Sequence, residues 1–308
     1  MAAITLAGAA CLFSRGQVSA RPLQEPCELT GQASAGTEIP TLVDMPLDQL
    51  VRRVPGLKKL SPAASQQPLT PLLQRVGRNV AALVRNFPNV TSREEVLEQR
   101  LSGAGGVHDE SYQEFRYLSL PRNDKGDVGF VEYRTDSKMR PSEPKGLYNG
   151  YLVTKGFVSL PLYFYPEYQA LSRFRYLGSE VTDKRKTEVL AFAQTPSARV
   201  GEEFSFNGRS VHVLTQGLAW IDPTDDQIIR LRMDLLAPVA EIGLRSQTTQ
   251  IKFATVRFSG AALRLWLPRE VEVETEWCGT FFRNVHSYSD FKLFTVDTRQ
   301  QKRTPRAK

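Results

Sequence analysis

The sequence predicts a mostly β, α+β fold, in which a curved antiparallel meander forms a half-barrel and N-terminal helices pack on or plug its concave face. Three observations lead to this prediction. Eight segments between residues 187 and 297 alternate apolar and polar side chains and are joined by short polar connections, as in an antiparallel meander. The alternation changes phase within 248–259, which indicates a bulge near Ala254 and a curved sheet. A clear amphipathic helix precedes the strands.

The helices are predicted in the N-terminal third of the chain. Residues 71–87 carry apolar side chains at i, i+4, i+8, i+11 and i+15, with Thr70 as a cap and Pro71 in the first turn. A second, short helix is expected within 46–60, where Pro and Gly end the periodic pattern. Segment 92–101 fits either a helix that begins with a capping box or a polar edge strand, and the sequence leaves both open.

The predicted strands share short length, alternating polarity and turn residues at their ends. They are 112–120, 128–134, 187–194, 211–222, 227–236, 248–259, 263–268, 270–277, 280–288 and 291–297. In 270–277, small apolar residues alternate with four glutamates. One face of this strand is therefore expected to be buried, and the glutamates to lie in water beside bases such as Lys252.

Charge and cysteine content exclude several classes of protein. The formal net charge over 308 residues is +7, but five bases and no acid lie in 299–308, so the rest of the chain is close to neutral. A neutral body argues against a nucleic-acid partner. Three cysteines exclude both a disulfide-rich scaffold and a multi-cysteine metal site.

The N-terminus resembles an export signal. Its apolar run, 2–13, is too short to span a bilayer. Val18 and Ala20 follow at the spacing of a signal-peptidase site, so cleavage is predicted near Ala20 and the mature protein is expected to be periplasmic or secreted. In such a compartment Cys27 and Cys278 could pair, which the sequence leaves open.

Composition divides the rest of the chain into three parts. Linker-like residues dominate first, then the periodic segments, then a basic end. The predicted organisation is a signal peptide at 1–20, a linker-rich segment with a short helix at 21–69, a half-barrel domain at 70–297 and a disordered basic tail at 298–308.

Motifs for catalysis are sparse. The chain has no Gly-rich phosphate loop, no G-x-S-x-G elbow and no H-E-x-x-H motif. Its three histidines, His108, His212 and His286, are scattered along the sequence. No cofactor and no metal site are therefore expected, and the protein is predicted not to be an enzyme. A hydrolase that uses His286 and Asp290 is the weaker alternative.

The hairpin 216–236 has an apolar face that must be buried, either on a core or on a ligand. Together with two later strands and the aromatic segment 157–176, it supplies the candidates for an apolar cavity. These candidates are Trp220, Ile229, Leu231, Met233, Leu235, Phe253, Leu265, Trp266, Phe164 and Tyr168. The same residues fit a self-filled core, and the aromatic segment fits either a lid or a plug, so both interpretations stay open.

Three stretches, 217-GLAWIDPTDDQIIRL-231, 265-LWLPREVEV-273 and 283-RNVHSYSDFKLF-294, resemble the LolA/LolB-like group of periplasmic lipoprotein carriers and outer-membrane lipoprotein-sorting proteins. The resemblance implies an incomplete barrel whose apolar concave face shelters acyl chains, with helices as a lid and without covalent catalysis.

The expected function is therefore an extracytoplasmic, non-enzymatic binding protein for a lipid-like or lipoprotein acyl ligand. A hydrophobic small molecule or acyl chain is the expected partner, together with an envelope protein and at most peripheral contact with a membrane. A structural or interaction protein of the cell envelope, with a self-filled core, is the alternative.

Overall fold

The computed structural model describes residues 17–20, 40–103, 105–124, 127–136, 138, 140–142, 152–182, 184–198, 201–206 and 209–294. Within these residues the helices are α1 (Leu47–Arg53), α2 (Leu69–Asn86) and α3 (Pro166–Gln169), with 3-10 helices at Pro55–Leu57, Phe157–Phe164 and Ala240–Ile242. The strands are β1 (Gln17–Ala20), β2 (Ser61–Pro62), β3 (Val90–Leu101), β4 (Val107–Asp124), β5 (Asp127–Thr135), β6 (Val153–Lys155), β7 (Ser172–Thr182), β8 (Arg185–Gln194), β9 (Glu202–Phe206), β10 (Arg209–Val213), β11 (Thr215–Asp222), β12 (Gln227–Leu235), β13 (Leu244–Arg257), β14 (Arg264–Trp277) and β15 (Thr280–Leu293). Most of the predicted signal peptide and the predicted tail lie outside the described residues, so both stay predictions.

Eleven strands form one antiparallel sheet in the order β2-β7-β8-β11-β12-β13-β14-β15-β3-β4-β5. Strands β11 to β15 follow one another along the chain as a meander, and β15 then pairs with β3. The predicted division into eight strands was wrong, because 263–268 and 270–277 belong to the single strand β14, and β15 continues from 280–288 past residue 291. Segment 211–222 is divided between β10 and β11. A smaller sheet has the order β10-β9-β1-β6. Segment 92–101, which the sequence left ambiguous, lies within strand β3.

The large sheet is curved. One apolar cluster on a single face contains Leu190 of β8 and Phe130 of β5, which are separated by seven intervening strands. Across a flat sheet these two strands would lie about 38 Å apart, because neighbouring strands are about 4.8 Å apart. The 3-10 helix Phe157–Phe164 nevertheless contacts β5 and also β8, where Phe164 lies 5.5 Å from Phe192 between ring centroids. The sheet therefore folds around this segment as a half-barrel, and we call its concave face the trough.

A bulge contributes to this curvature. The pairing of β13 with β14 shifts between Lys252 and Phe253, so that Arg269 is left over on β14. A bulge thus lies within two residues of the place predicted near Ala254, but its extra residue is on β14 and not on β13. Lys252 pairs with Glu270 at 2.7 Å, as predicted for the glutamate ladder of β14.

Two segments fill the trough. Helix α2 turns Leu72, Val76 and Val80 toward the sheet, where all three are buried. The 3-10 helix Phe157–Phe164, which we call the plug, has all eight residues buried. It begins after Gly156, whose φ of 92° lies in the left-handed region that favours glycine.

The outer, convex face of the sheet is covered as well. Helix α1 and its flanking turns bury Leu42, Leu50 and Leu57 against β7, β8, β11 and β12, in a cluster that includes Leu218 and Trp220. The expectation that N-terminal helices pack on the concave face is met by α2, whereas α1 packs on the outer face. The physical reason is that β8 and β11 carry apolar side chains on both faces, so both faces need a cover.

Candidate functional site

The candidate site is the trough, and the structure brings most of the predicted cavity residues to it. Five of the ten belong to its buried cluster and two more pack against that cluster. The five are Phe164, Leu231, Met233, Phe253 and Leu265, and the two are Tyr168 and Trp266.

Three predicted residues lie elsewhere, so their assignment to the trough was wrong. Trp220 and Ile229 belong to the outer cluster, and Leu235 belongs to a third cluster beside the small sheet. In the β11–β12 ladder, Trp220 pairs with Arg230 but Ile221 pairs with Ile228, which leaves Ile229 as a bulge. The bulge changes the phase of the strand, and Ile228 faces the trough instead.

The plug is packed by aromatic contacts at both of its ends. Phe164 lies 5.5 Å from Phe192 and 5.6 Å from Phe174, measured between ring centroids. Phe157 lies 4.9 Å from the ring of His286, edge to face. The aromatic segment is therefore a plug in this structure, which is one of the two roles that its sequence allows.

Two small cavities lie along the plug. One of about 20 Å³ is bounded by Pro161 of the plug, by Val80 of α2 and by Trp266. The other, of about 10 Å³, touches Phe157 and Val158. A cavity needs about 10–15 Å³ on this measure to hold one water molecule. Neither of these two cavities is large enough for an acyl chain.

One end of the trough is polar and is organised around Glu94, which is fully buried. Arg134 donates to its two oxygens from Nε and Nη2, both at 2.6 Å, and Tyr288 Oη donates at 2.8 Å. Burial would raise the pKa of Glu94, but the charge and hydrogen bonds of Arg134, together with the hydrogen bond from His286, lower this pKa to about 2. Glu94 is therefore a carboxylate, paired with a buried guanidinium.

His286 joins this network through both ring nitrogens. Its Nδ1 lies 3.0 Å from Glu94 Oε1, and its Nε2 lies 2.6 Å from Thr154 Oγ1. Burial lowers the pKa of His286, although Glu94 opposes the change. A neutral ring that donates from Nδ1 to the carboxylate and accepts from the Thr154 hydroxyl satisfies both contacts.

The same polar end holds the start of the plug. Glu132 accepts from Val158 N at 3.4 Å and from Ser159 Oγ at 3.1 Å, and it also accepts from Tyr117 Oη. The Tyr117 oxygen in turn accepts from Gly156 N at 3.2 Å. Burial raises the pKa of Glu132, and these hydrogen bonds to its charged form oppose the rise. The plug is thus anchored at its first turn by one buried carboxyl group.

The segment just before the plug contacts the wall with the opposite polarity. Arg134 Nη2 donates to the carbonyl oxygen of Thr154 at 2.7 Å, and Asn284 Nδ2 donates to the carbonyl oxygen of Leu152. The wall therefore offers acceptors to Gly156 and the plug and donors to residues 152–154.

Thr154, His286 and Glu94 have the connectivity of a hydroxyl–imidazole–carboxylate triad. All three are at least 98 % buried, and Arg134, Tyr288 and Phe157 enclose them, so a substrate carbonyl does not reach the hydroxyl. Asp290, the predicted partner of His286, is exposed and pairs with Lys292 at 2.7 Å instead. The arrangement acts as a structural network in this conformation.

The described part of the chain holds few other signs of a special site. Among those residues, no three or more His, Cys, Asp and Glu side chains are grouped as metal ligands would be. Nor does the same part of the chain contain a helix with the length and apolarity needed to cross a membrane. Cys278, in the turn between β14 and β15, is disulfide-bonded, and the other two cysteines of the sequence lie outside the described residues.

The sequence did not single out the polar end, except for His286. Glu94 and Glu132 look like the exposed charges that alternate with apolar residues along any half-buried strand. The sequence indicates a polar site only when β3 and β5 are considered together, because both strands place charged residues at positions whose side chains face inward.

Comparison with known proteins gives limited results. No protein-family model and no curated protein matches the sequence. In structure, the chain is similar to an outer membrane lipoprotein-sorting protein domain from Vibrio parahaemolyticus, with 12% identity, a TM-score of 0.41 and coverage of 73% of this chain and 93% of that one. It is also similar to a DUF1329 family protein from Desulfovibrio piger ATCC 29098, with 10% identity, a TM-score of 0.40 and coverage of 75% and 95% respectively.

Proposed function

We propose that this protein is an extracytoplasmic, non-enzymatic binding protein for a lipid-like or lipoprotein acyl ligand, which it holds in the trough. The observation that supports this most is how the trough is filled. Beside α2, a single eight-residue segment supplies the filling, and the backbone-to-backbone hydrogen bonds given for it within the described residues are local, such as Tyr165 N to Leu162 O at 2.9 Å. Such a segment can leave without breaking a strand ladder.

The plug occupies a space that suits an elongated apolar molecule. Eight residues of 3-10 helix extend about 16 Å, at about 2 Å per residue. An acyl chain in the same space buries apolar surface against the same wall, including Leu231 and Met233. Binding is then an exchange of plug for ligand, and the affinity is set by the difference between their contacts.

The disulfide of Cys278 supports the extracytoplasmic part of the proposal. Disulfides persist mainly outside the cytoplasm, and Cys278 is disulfide-bonded. The predicted leader agrees with this location, and its cleavage near Ala20 would remove β1 from the small sheet. An envelope protein as donor or acceptor of the ligand, and peripheral contact with a membrane, belong to the same proposal.

The test compares two leucine-to-alanine variants, one in the plug and one in the outer cover. Leu160 and Leu50 are each at least 98 % buried, so L160A and L50A should each lose about 2–5 kcal/mol of unfolding free energy. Only L160A weakens the packing of the plug, with which the ligand competes for the trough. It should bind a fluorescent acyl probe more tightly than the wild-type protein, while L50A binds it as the wild type does.

Native mass spectrometry with lipid extraction completes this test, on exported protein purified without detergent. We expect co-purifying acyl species in stoichiometric amount. An unliganded mass, with no probe uptake by wild type or L160A, would contradict the proposal.

A self-filled scaffold of the cell envelope is the second candidate function. It is favoured by the complete burial of the plug and by cavities large enough for one water molecule each. For a scaffold, L160A and L50A should behave alike, with lower stability and no ligand uptake.

A further inference from the structure

The hydrogen bonds between the plug segment and the trough wall describe what a ligand must replace. Residues 156–159 donate to the wall, through Gly156 N to Tyr117 Oη, Val158 N to Glu132 and Ser159 Oγ to Glu132. Residue Thr154 instead offers its carbonyl oxygen to Arg134. A molecule that replaces these contacts must therefore donate hydrogen bonds to Glu132 and offer an acceptor to Arg134.

Removal of the plug leaves Glu132 with unmet hydrogen bonds, beside an Arg134 donor that already lacks a partner. Glu132 is 96 % buried and keeps only the bond from Tyr117 Oη among those given above. Arg134 keeps its two bonds to Glu94 and its bond to the Thr154 oxygen of β6, but its Nη1 is buried without a hydrogen-bond partner. Buried polar groups without partners cost about 1–3 kcal/mol each, and more when charged. A ligand that satisfies both residues is strongly preferred over one that does not.

We infer that the polar end of the trough selects acyl ligands whose polar group donates hydrogen bonds to Glu132 and presents a carbonyl oxygen to Arg134. Acyl esters that carry a neighbouring hydroxyl and acyl amides that carry N–H groups have this chemistry, and a free fatty acid does not. The inference rests on the proposed function and names the ligand class for the same site.

Charge explains the rejection of a free fatty acid. Its carboxylate has acceptors but no donor, so it would place two further acceptor oxygens beside those of Glu132. The positive charge of Arg134 does not compensate, because Glu94 already neutralises it through a two-point ion pair. An ester or amide carbonyl brings no charge and still accepts from Arg134.

The experiment measures the affinity of the full chain for three probes of equal acyl length at pH 8. The probes are palmitate, 1-monopalmitoylglycerol and N-palmitoylglycinamide, so the apolar contribution is the same in each. We expect the ester and the amide to bind at least about tenfold more tightly than palmitate, which corresponds to one hydrogen-bond mismatch of about 1.4 kcal/mol. The ratio of ester to amide affinity separates a glycerolipid from an N-acylated peptide as the source of the polar group.

Two glutamine variants sharpen the result. In E132Q the side-chain amide can donate to a carboxylate, so the preference over palmitate should fall to about threefold or less. E180Q is the matched control, since Glu180 is a buried carboxyl group that accepts from Trp220 Nε1 on the outer face. It should keep the wild-type preference.

The outcomes separate the inference from the function beneath it. Palmitate binding as tightly as the ester and amide in the wild-type protein, or an equal preference in E132Q and E180Q, would overturn the inference while leaving acyl binding intact. Failure of all three probes to bind would overturn the proposed function and the inference together. The wild-type ratios decide the matter even if E132Q does not fold.

Discussion

The two faces of the same strands are covered in different ways. On the outer face, the residues around α1 are held by an exposed ion pair between Arg173 and Asp44 and by a buried hydrogen bond from Leu42 N to Gln216 Oε1 at 2.7 Å. In the trough, the plug is fastened through Glu132, and Arg134, in a buried ion pair with Glu94, holds Thr154 just before the plug.

This difference indicates different roles for the two covers. Exposed ion pairs contribute little and tolerate change, whereas a buried ion pair is costly to break because one charge is left without a partner. The outer cover gains its stability from apolar burial. The plug combines apolar burial with a polar anchor that fixes its position, which suits a segment that leaves and returns to one place.

The largest effect on the free energy of unfolding is expected when the buried and the exposed ion pair are each removed in a separate variant. R134M leaves Glu94 charged and buried and should lower the unfolding free energy by about 3–5 kcal/mol. R173M removes an exposed pair and should cost at most about 1 kcal/mol. Urea unfolding at pH 7 measures both. Equal losses in the two variants would show that the buried pair is not the stronger anchor.

A second comparison deletes one donor from each face. Y117F removes the hydroxyl that donates to Glu132, and W220F removes the indole N–H that donates to Glu180. Each should cost about 1–3 kcal/mol, since each weakens the hydrogen bonding of a buried carboxyl group. Only Y117F should speed amide hydrogen exchange at Gly156 and Val158. Unchanged exchange there would separate Tyr117 from the plug anchor.

The pH dependence of stability should also differ between the faces. Burial raises the pKa of Glu98, on the trough side of β3, to about 7. Its stabilising contribution is therefore present below about pH 4.5 and is lost as the pH rises through 7. The hydrogen bond from Arg173 lowers the pKa of Asp44, so its contribution is present above pH 3.8 and is lost at lower pH.

Two variants test this opposition. E98Q should remove a loss of about 1–3 kcal/mol that the wild-type protein shows between pH 5 and pH 8. D44N should be slightly less stable than the wild-type protein above about pH 4 and should match it at lower pH, where the contribution of Asp44 is already lost. Burial also raises the pKa of Glu202 to about 7. The stability of the double variant E98Q/E202Q should therefore depend on pH even less than that of E98Q. A wild-type slope in E98Q would contradict the assignment to Glu98.

The smallest effect is expected at the solvent-facing glutamate ladder of β14. Lys252 and Glu270 are both more than half exposed and lie 2.7 Å apart. K252A should change the unfolding free energy by less than about 0.5 kcal/mol, because solvent screens the pair. Thermal unfolding at low and high salt measures it, and a loss comparable with that of R134M would contradict the comparison.

Local patterns in the sequence were sufficient to predict helix α2, the hairpin 216–236 and the bulge of the curved sheet. Each is set by the spacing of neighbouring residues, such as the apolar stripe from Leu72 to Val80. Strand β7 was missed because its first half overlaps the aromatic segment, where Arg173 and Arg175 interrupt the apolar pattern. Those arginines bind residues of the outer cover, a partner about 130 positions away in sequence.

The site was predictable only in part, for a related reason. Leu231 and Met233 were assigned correctly because alternation is regular there, whereas Ile229 falls on a bulge that only the partner strand reveals. The polar end depends on β15 pairing with β3, which brings His286 within 3.0 Å of Glu94 across 192 residues. No local pattern encodes that distance.

Hydrogen exchange of the plug, with and without 1-monopalmitoylglycerol, tests the central claim most directly. If ligand and plug exchange places in the trough, the amides of 157–164 should lose at least about tenfold in protection when the ligand is bound. Those of β12 and of α1 should stay protected. Plug amides that remain equally protected in a protein shown by native mass spectrometry to carry the ligand would contradict the account.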